Sequence, residues 1–266
     1  MTWMFMLRRV REESKRNKMT IKAHAKINTF LKITGHKNGY HTLLSRFIKV
    51  PHLYDVISFV PQECESFTIE GCGDVPVESN TIYKSFLAMN SETDFFQHHK
   101  VVVEKNIPTG AGLGGGSSDA GAFMRLFNEV CNLNIDTPTL AKMGSTVGAD
   151  IPFFVYDYDA ANVSGFGEVV KPFTDEPFEI ELFMPKIHCD TPLVYKTFKR
   201  ELFNEIEPTS FEGWENLSSK EVLSKVNAVE ANDLYKASLI AYPKLKEVAP
   251  KDWYFSGSGS TFFRIK

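Results

Sequence analysis

Lys100-Val-Val-Val-Glu-Lys-Asn-Ile-Pro-Thr-Gly-Ala-Gly-Leu-Gly-Gly-Gly-Ser-Ser-Asp119 is the stretch of this chain that decides its fold. Lys100 to Lys105 holds three valines between charged residues and reads as a strand. The far end runs into Ala120, Phe123, Phe127 and Val130, an apolar spacing that predicts a helix. Between them five glycines fall within seven residues: Gly110, Gly112, Gly114, Gly115 and Gly116. Glycine is costly in chain entropy, and a plain strand-to-helix turn needs only one or two of them. Such a run fits a loop whose backbone N–H groups must approach an anion closely. The helix start adds unsatisfied donors and a positive dipole end. The candidate phosphate-binding set is therefore Pro108, Gly110, Gly112, Leu113, Gly114, Gly115, Gly116, Ser117 and Ser118. The two serine hydroxyls are available to a phosphate oxygen or to Mg²⁺.

Several kinds of phosphate loop can be separated by what surrounds the glycines. Gly110-x-Gly112-x-x-Gly115 formally matches a dinucleotide fingerprint. That motif also needs a second strand ending in an acid about 20 residues on. Asp136 lies at that distance, but Pro138 beside it marks a capped helix start instead. A Walker A loop needs a lysine after the glycines, and none follows. The H-R-D and D-F-G elements of protein kinases are missing. What remains is an ATP loop made mostly of backbone.

The rest of the composition limits the alternatives. The chain has 266 residues, enough for one large domain or two modest ones. Apolar residues at 43% and charged residues at 24% give an ordinary globular balance. Thirty basic and 33 acidic side chains leave a net charge of -3, no global reason to bind nucleic acid or an anionic membrane. No apolar run approaches the ~20 residues of a membrane span. The four cysteines show no C-x-x-C spacing and read as reduced thiols of a cytoplasmic protein. Residues 1–18 hold six basic and two acidic residues and read as a flexible leader without targeting order.

Working outward, Ile21 to Thr34 reads as a strand, with a turn at Lys37-Asn38-Gly39 and alternation through Val50. Asp55 to Val60 and Ser66 to Glu70 read as further strands, and Thr81 to Met89 as a helix. A helix from Asp136 ends near Gly148, and Asp150-Ile-Pro-Phe-Phe154 reads as a loop leading into a strand. Lys171 to Pro177, polar and with two prolines, is the candidate boundary between domains 19–170 and 171–266. Beyond it come a strand at 178–184, helical patterns at 192–203 and 219–247, and a strand pair at 252–265. The class is α+β.

Three further places invite chemistry, and each has a plainer reading beside it. Asp150, between Gly148-Ala149 and Ile151-Pro152, is a candidate general base or a turn-capping carboxylate. Lys26 and Asn28 share one face of an apolar strand, a face that looks into a cleft or into water. Tyr40 and His41 are either a ring pair for a nucleobase or a surface aromatic beside a satisfied histidine.

Four segments together carry a resemblance. They are Ala25-Lys-Ile-Asn-Thr-Phe-Leu31 with Gly39-Tyr-His-Thr-Leu43, the glycine loop, Gly148-Ala-Asp-Ile-Pro-Phe-Phe154, and Ser256-Gly-Ser-Gly-Ser-Thr-Phe-Phe263. In this order they resemble the GHMP small-molecule kinases. The Lys-x-Asn strand with Gly-Tyr-His is similar to the branch acting on a cytidine-diphosphate-linked methylerythritol. The resemblance implies a two-domain GHMP kinase fold, with a ribosomal S5 domain 2-like N-terminal part and a ferredoxin-like C-terminal part. It implies ATP with Mg²⁺ and transfer of a phosphoryl group to the 2-hydroxyl of that substrate, a step of non-mevalonate isoprenoid synthesis. Residue by residue, it makes Asp150 the catalytic base and Lys26 its partner, and puts Asn28 near the reacting hydroxyl. His41 reads the cytosine, Tyr40 stacks, and Thr191, Tyr195 and Lys196 touch the substrate. Ser117 is the metal-side hydroxyl, and Ser256 to Thr261 support the ATP loop. His36-Lys37-Asn38 departs from the Arg-x-Asp common in that branch. The implied partner is a small molecule, with no nucleic acid or membrane, for a monomer or weak homodimer. Another GHMP kinase, acting on homoserine, mevalonate or a sugar, is the alternative.

Overall fold

The computed structural model describes residues 19–37, 39–203 and 208–266. The leader and Asn38 of the expected turn lie outside the described residues. In order, the elements are β1 (Thr20–Lys37), β2 (Tyr40–Pro61), β3 (Ile69–Glu70), α1 (Thr81–Met89), β4 (His99–Glu104), α2 (Gly115–Val130), α3 (Thr137–Ser145), α4 (Ile151–Tyr156), β5 (Ala160–Gly165), β6 (Val169–Pro172) and β7 (Ile180–Phe183). Then follow α5 (Thr191–Glu201), α6 (Ser219–Lys225), α7 (Ala228–Ala231), α8 (Asp233–Ala241), α9 (Leu245–Val248), β8 (Tyr254–Phe255) and β9 (Phe262–Ile265). Among the described residues no helix is long and apolar enough to cross a membrane.

The chain divides into two compact units, each made of several segments. The first takes the chain up to His24, Leu53–Asn106 and Gly116–Tyr156; the second takes Ala25–His52, Ile107–Gly115 and Asp157–Lys266. The candidate boundary at 171–177 falls inside the second unit, at β6 and just after it.

In the first unit, the C-terminal half of β2 pairs antiparallel with β4, Val56 opposite Glu104 and Pro61 opposite His99. β4 also pairs with the short parallel β3. The alternation of Ile57, Phe59, Val101 and Val103 puts their side chains into one core with Phe123 and Phe127 of α2, Leu140 of α3 and Ile151 of α4. α3 starts as expected: Asp136 accepts the N–H of Thr139 at 2.9 Å, and proline fills the first turn.

In the second unit, the N-terminal half of β2 pairs with β5, which pairs with β6. A separate antiparallel sheet runs in the order β7-β9-β8. Its core holds Cys189, Leu245, Phe255 and Phe262. β1 is buried without interruption from Ala25 to Ile33, so both its faces are covered there.

Four expectations need correction. Residues 42–50 and 55–60 belong to one strand, because β2 changes neighbour along its length. It pairs β5 as far as Ile48 and β4 only from Val56, and Pro51 falls between these two ladders. The strand expected at 66–70 is only Ile69–Glu70. Residues 151–156 form a helix, not a loop entering a strand. Ile151, Pro152, Phe153, Phe154 and Val155 are all buried, and a run covered on every side carries no period to distinguish helix from strand. The helical pattern at 219–247 breaks into four short helices. Asn227 and Asn232 each cap a new start with side-chain acceptors, and Pro243 interrupts the last.

Candidate active site

The polar face of β1 turns inward rather than to water. Lys26 is 4% exposed and Asn28 1%. Lys26 Nζ donates to Asn28 Oδ1 at 2.6 Å and reaches the Gly112 carbonyl at 3.4 Å. It also lies 4.5 Å from the centre of the Phe47 ring. Asn28 Nδ2 donates to Ser45 Oγ at 2.9 Å, and Ser45 Oγ donates to the Phe30 carbonyl at 2.5 Å. The solvated-face reading of this strand is therefore wrong: a buried amide has one donor and its acceptor engaged, and a buried ammonium is oriented by them.

The same network reaches the glycine loop and the closing motif. The Lys26 N–H donates to the Leu113 carbonyl at 3.0 Å, and the Asn28 N–H to Ser256 Oγ at 3.3 Å. Ser256 Oγ donates to the Gly112 carbonyl at 3.0 Å, and the Thr261 N–H to the Ala111 carbonyl at 3.0 Å. Gly112 has φ of +75°, and a Cβ there would lie 2.1 Å from the Ser256 carbonyl oxygen. Only glycine allows both that conformation and that approach. The closing loop is itself braced: Asn232 Nδ2 donates to the carbonyls of Phe255 and Gly257, both at 2.9 Å. So Gly112 and Leu113 spend their carbonyls on the fold, and Pro108 and Gly110 lead into them. Gly110 has φ of +67°, with no room for a Cβ beside the His188 ring.

Gly115, the last residue of the second unit's middle segment, and Gly116, the first residue of the first unit's last segment, open α2. Ser118 is buried, and its hydroxyl donates to the His24 carbonyl at 2.6 Å, a structural bond. Ser117 is half-buried at the same helix start, and a Cβ at Gly148 would lie 3.9 Å from its Oγ. Gly148, two residues before Asp150, thus lies beside Ser117. Asp150 is half-buried immediately before α4. Lys26 belongs to the second unit and Asp150 to the first.

Tyr40 and His41 do not form a ring pair, since neighbouring residues on a strand face opposite ways. Tyr40 is 69% exposed, with its ring 5.8 Å from Phe166. His41 instead lies 5.5 Å from Tyr195 of α5, its ring tilted 30°, with Phe198 and Phe203 around it. Its Nε2 is buried with no hydrogen-bond partner among the described residues. Burial, then His36 and Lys199, push the imidazole down from its ordinary value. Lys199 itself sits 3.2 Å from His36 Nε2. Thr191 opens α5, its Oγ1 2.8 Å from Ser258 Oγ, and Lys196 is exposed. Phe198, Phe203, Ser45 and the His36–Lys199 pair escaped the sequence reading. Only Phe198 left a signal, three residues after Tyr195 and so on the same helix face. Among the described residues no cluster of three or more His, Cys, Asp or Glu could hold a metal ion.

Comparison with known proteins accounts for this arrangement. Residues 80–158 match the family described as GHMP kinases N terminal domain. A 4-diphosphocytidyl-2-C-methyl-D-erythritol kinase of Sulfurovum sp. (strain NBC37-1) is 56% identical, over 93% of this chain and 99% of its own. One from Sulfurimonas denitrificans is 46% identical, over 92% and 96%. A crystal structure of 4-(cytidine 5'-diphospho)-2C-methyl-D-erythritol kinase superimposes with a TM-score of 0.70 at 29% identity, covering 92% of this chain and 89% of that one. A mevalonate kinase structure, 14% identical with a TM-score of 0.63, shares the fold. The glycine loop, the Lys26–Asn28 strand and an identity that runs nearly end to end lead to one assignment: the chain belongs to the 4-diphosphocytidyl-2-C-methyl-D-erythritol kinases, within the GHMP kinase fold.

Proposed function

We propose that this protein transfers the γ-phosphoryl group of ATP to the 2-hydroxyl of 4-diphosphocytidyl-2-C-methyl-D-erythritol. The carrying observation is the buried Lys26–Asn28 pair, hydrogen-bonded on both sides and set on the Gly112 carbonyl. Phosphoryl transfer asks a protein for positioning and charge stabilisation, and an ammonium fixed in a dry network supplies both. Lys26 offsets charge on the transferring group. Asn28 orients the hydroxyl. Asp150 accepts its proton.

The loop Pro108–Gly114 and the start of α2 at Gly115, Gly116 and Ser117 hold the triphosphate through backbone N–H groups. Ser118 steadies this helix start from behind. A dedicated cage of carboxylates is absent among the described residues. That fits Mg²⁺, which keeps waters and phosphate oxygens and takes few protein ligands; Ser117 would be one of them. When bound, the ion neutralises phosphate charge.

His41 and Tyr195 form the recognition wall for the cytosine, with the unpartnered His41 Nε2 as its polar point. Tyr40, Thr191 and Lys196 complete the substrate contacts. The test is phosphorus NMR after incubation with Mg²⁺, ATP and the cytidine substrate. A new phosphomonoester signal supports the reading. ATP binding without transfer to this alcohol overturns the substrate assignment.

A further inference from the structure

Within the second unit, the segment between β7 and α5 meets the outer end of the glycine loop at His188. Its Nδ1 lies 3.2 Å from the Thr109 carbonyl oxygen. A carbonyl only accepts, so Nδ1 carries the hydrogen and donates it. The ring rests on Gly110, where a Cβ would come within 2.2 Å of Nδ1. The next residue, Cys189, donates its N–H to the Gly110 carbonyl at 2.9 Å.

With these two bonds, five consecutive loop carbonyls are held. Those of Thr109 and Gly110 accept from His188 and Cys189. The Ala111 carbonyl accepts the Thr261 N–H, Gly112 accepts Ser256 Oγ, and Leu113 accepts the Lys26 N–H, each at 3.0 Å. A trans peptide is planar, so fixing a carbonyl also fixes the N–H of the following residue, which points the opposite way. The five bonds therefore orient the amides of Gly110 to Gly114. Gly110, Gly112 and Gly114 have φ of +67°, +75° and +71°, alternating with Ala111 and Leu113, whose φ is not positive. Successive amides in such alternation form a concavity suited to an anion. The five anchors are unequal, however. Cys189, Thr261, Ser256 and Lys26 are buried. His188 is exposed, as is Thr109. Four carbonyls are thus held from the core, and the outermost by one solvent-facing side chain.

We infer that His188 is a positioning residue for ATP, setting the outermost amide of the phosphate loop through its bond to the Thr109 carbonyl. The inference rests on the reading that this loop receives the triphosphate. The same segment also leads into α5: Asp190 accepts the N–H of Leu193 at 2.8 Å, and Thr191 Oγ1 lies 2.8 Å from Ser258 Oγ. A side chain that only supported α5 would act on the cytidine substrate, through Tyr195, rather than on the nucleotide. The two roles therefore separate by ligand.

The experiment measures binding of a non-hydrolysable ATP analogue with Mg²⁺, and separately of the cytidine substrate, to the full chain by calorimetry. His188→Ala should weaken the analogue by about three- to tenfold, the worth of one neutral hydrogen bond, and leave the cytidine substrate unchanged. His188→Asn, whose amide offers an N–H near the place of Nδ1, should recover most of that loss. Unchanged analogue binding in His188→Ala overturns the inference. So does an Asn variant no better than Ala, since the hydrogen bond is then not the cause. Equal weakening of both ligands with a lower melting temperature overturns it too, leaving His188 a support of the fold. A wild type that binds no analogue overturns the reading of the loop itself, and the role of His188 with it.

Discussion

Asp150 carries the sharpest prediction at the scale of single residues. Asp150→Ala should lower turnover by about 10²–10⁴-fold, the general-base range, with ATP binding retained. Single-turnover kinetics with the cytidine substrate checks it. His41 gives a second prediction, with a sign. Its folded value is depressed by burial and by His36 and Lys199, so the unfolded chain binds this proton more tightly. The stability His41 contributes is present above its unfolded value of about 6.5 and is lost as pH falls through the folded value. Melting curves from pH 7.5 down to 5 should show a steeper acid loss for the wild type than for His41→Gln. Arg46 is fully buried, its guanidinium 3.5 Å from the Phe173 ring and hydrogen-bonded to Asn162 and the carbonyls of Leu217, Trp214 and Glu215. Removing it takes the donor from Asn162 Oδ1 and the Leu217 carbonyl and the facing cation from the buried Asp175 carboxylate, so Arg46→Met should cost about 3 kcal/mol or more in denaturant unfolding.

At the scale of elements, the glycine loop tolerates little. Gly112→Ala would force a left-handed φ on alanine and drive its Cβ into the Ser256 carbonyl. The expected result is weakened ATP binding and a lower melting temperature together, read by calorimetry. What was legible in the sequence follows from how local each signal is. α1 spans Thr81–Met89 as its spacing predicts, because one face is buried and the other is wet. The loop-to-helix transition at Gly115 was legible because glycine's freedom is a property of the residue itself. α4 was not, since burial on all sides erased its period. In the candidate site, Lys26 and Asn28 declared a shared face through alternation, but their burial depends on Ser45 and Ser256, 17 and 228 residues from Asn28. The meeting of His41 with Tyr195 is likewise non-local. That Tyr40 and His41 face opposite ways, by contrast, follows from strand alternation; that Tyr40 is the exposed one does not.

For the molecule as a whole, neither unit is a continuous stretch. The second draws β1 from Ala25 onward and the N-terminal half of β2 from the early chain, the glycine loop Ile107–Gly115 from the middle, and the rest from Asp157 onward. A fragment Asp157–Lys266 therefore lacks the strand that pairs with β5. It should show no cooperative melting transition by circular dichroism, while the full chain does. The three-stranded sheet adds a consequence for synthesis. Its middle strand is β9, and β7, on one side, precedes it by about 80 residues. A ribosome working at about 5–20 residues per second makes β7 wait several seconds for its partner. Through that interval Ile180-Glu-Leu-Phe183 is a nascent strand with both edges bare, the kind of segment that holdase chaperones shield.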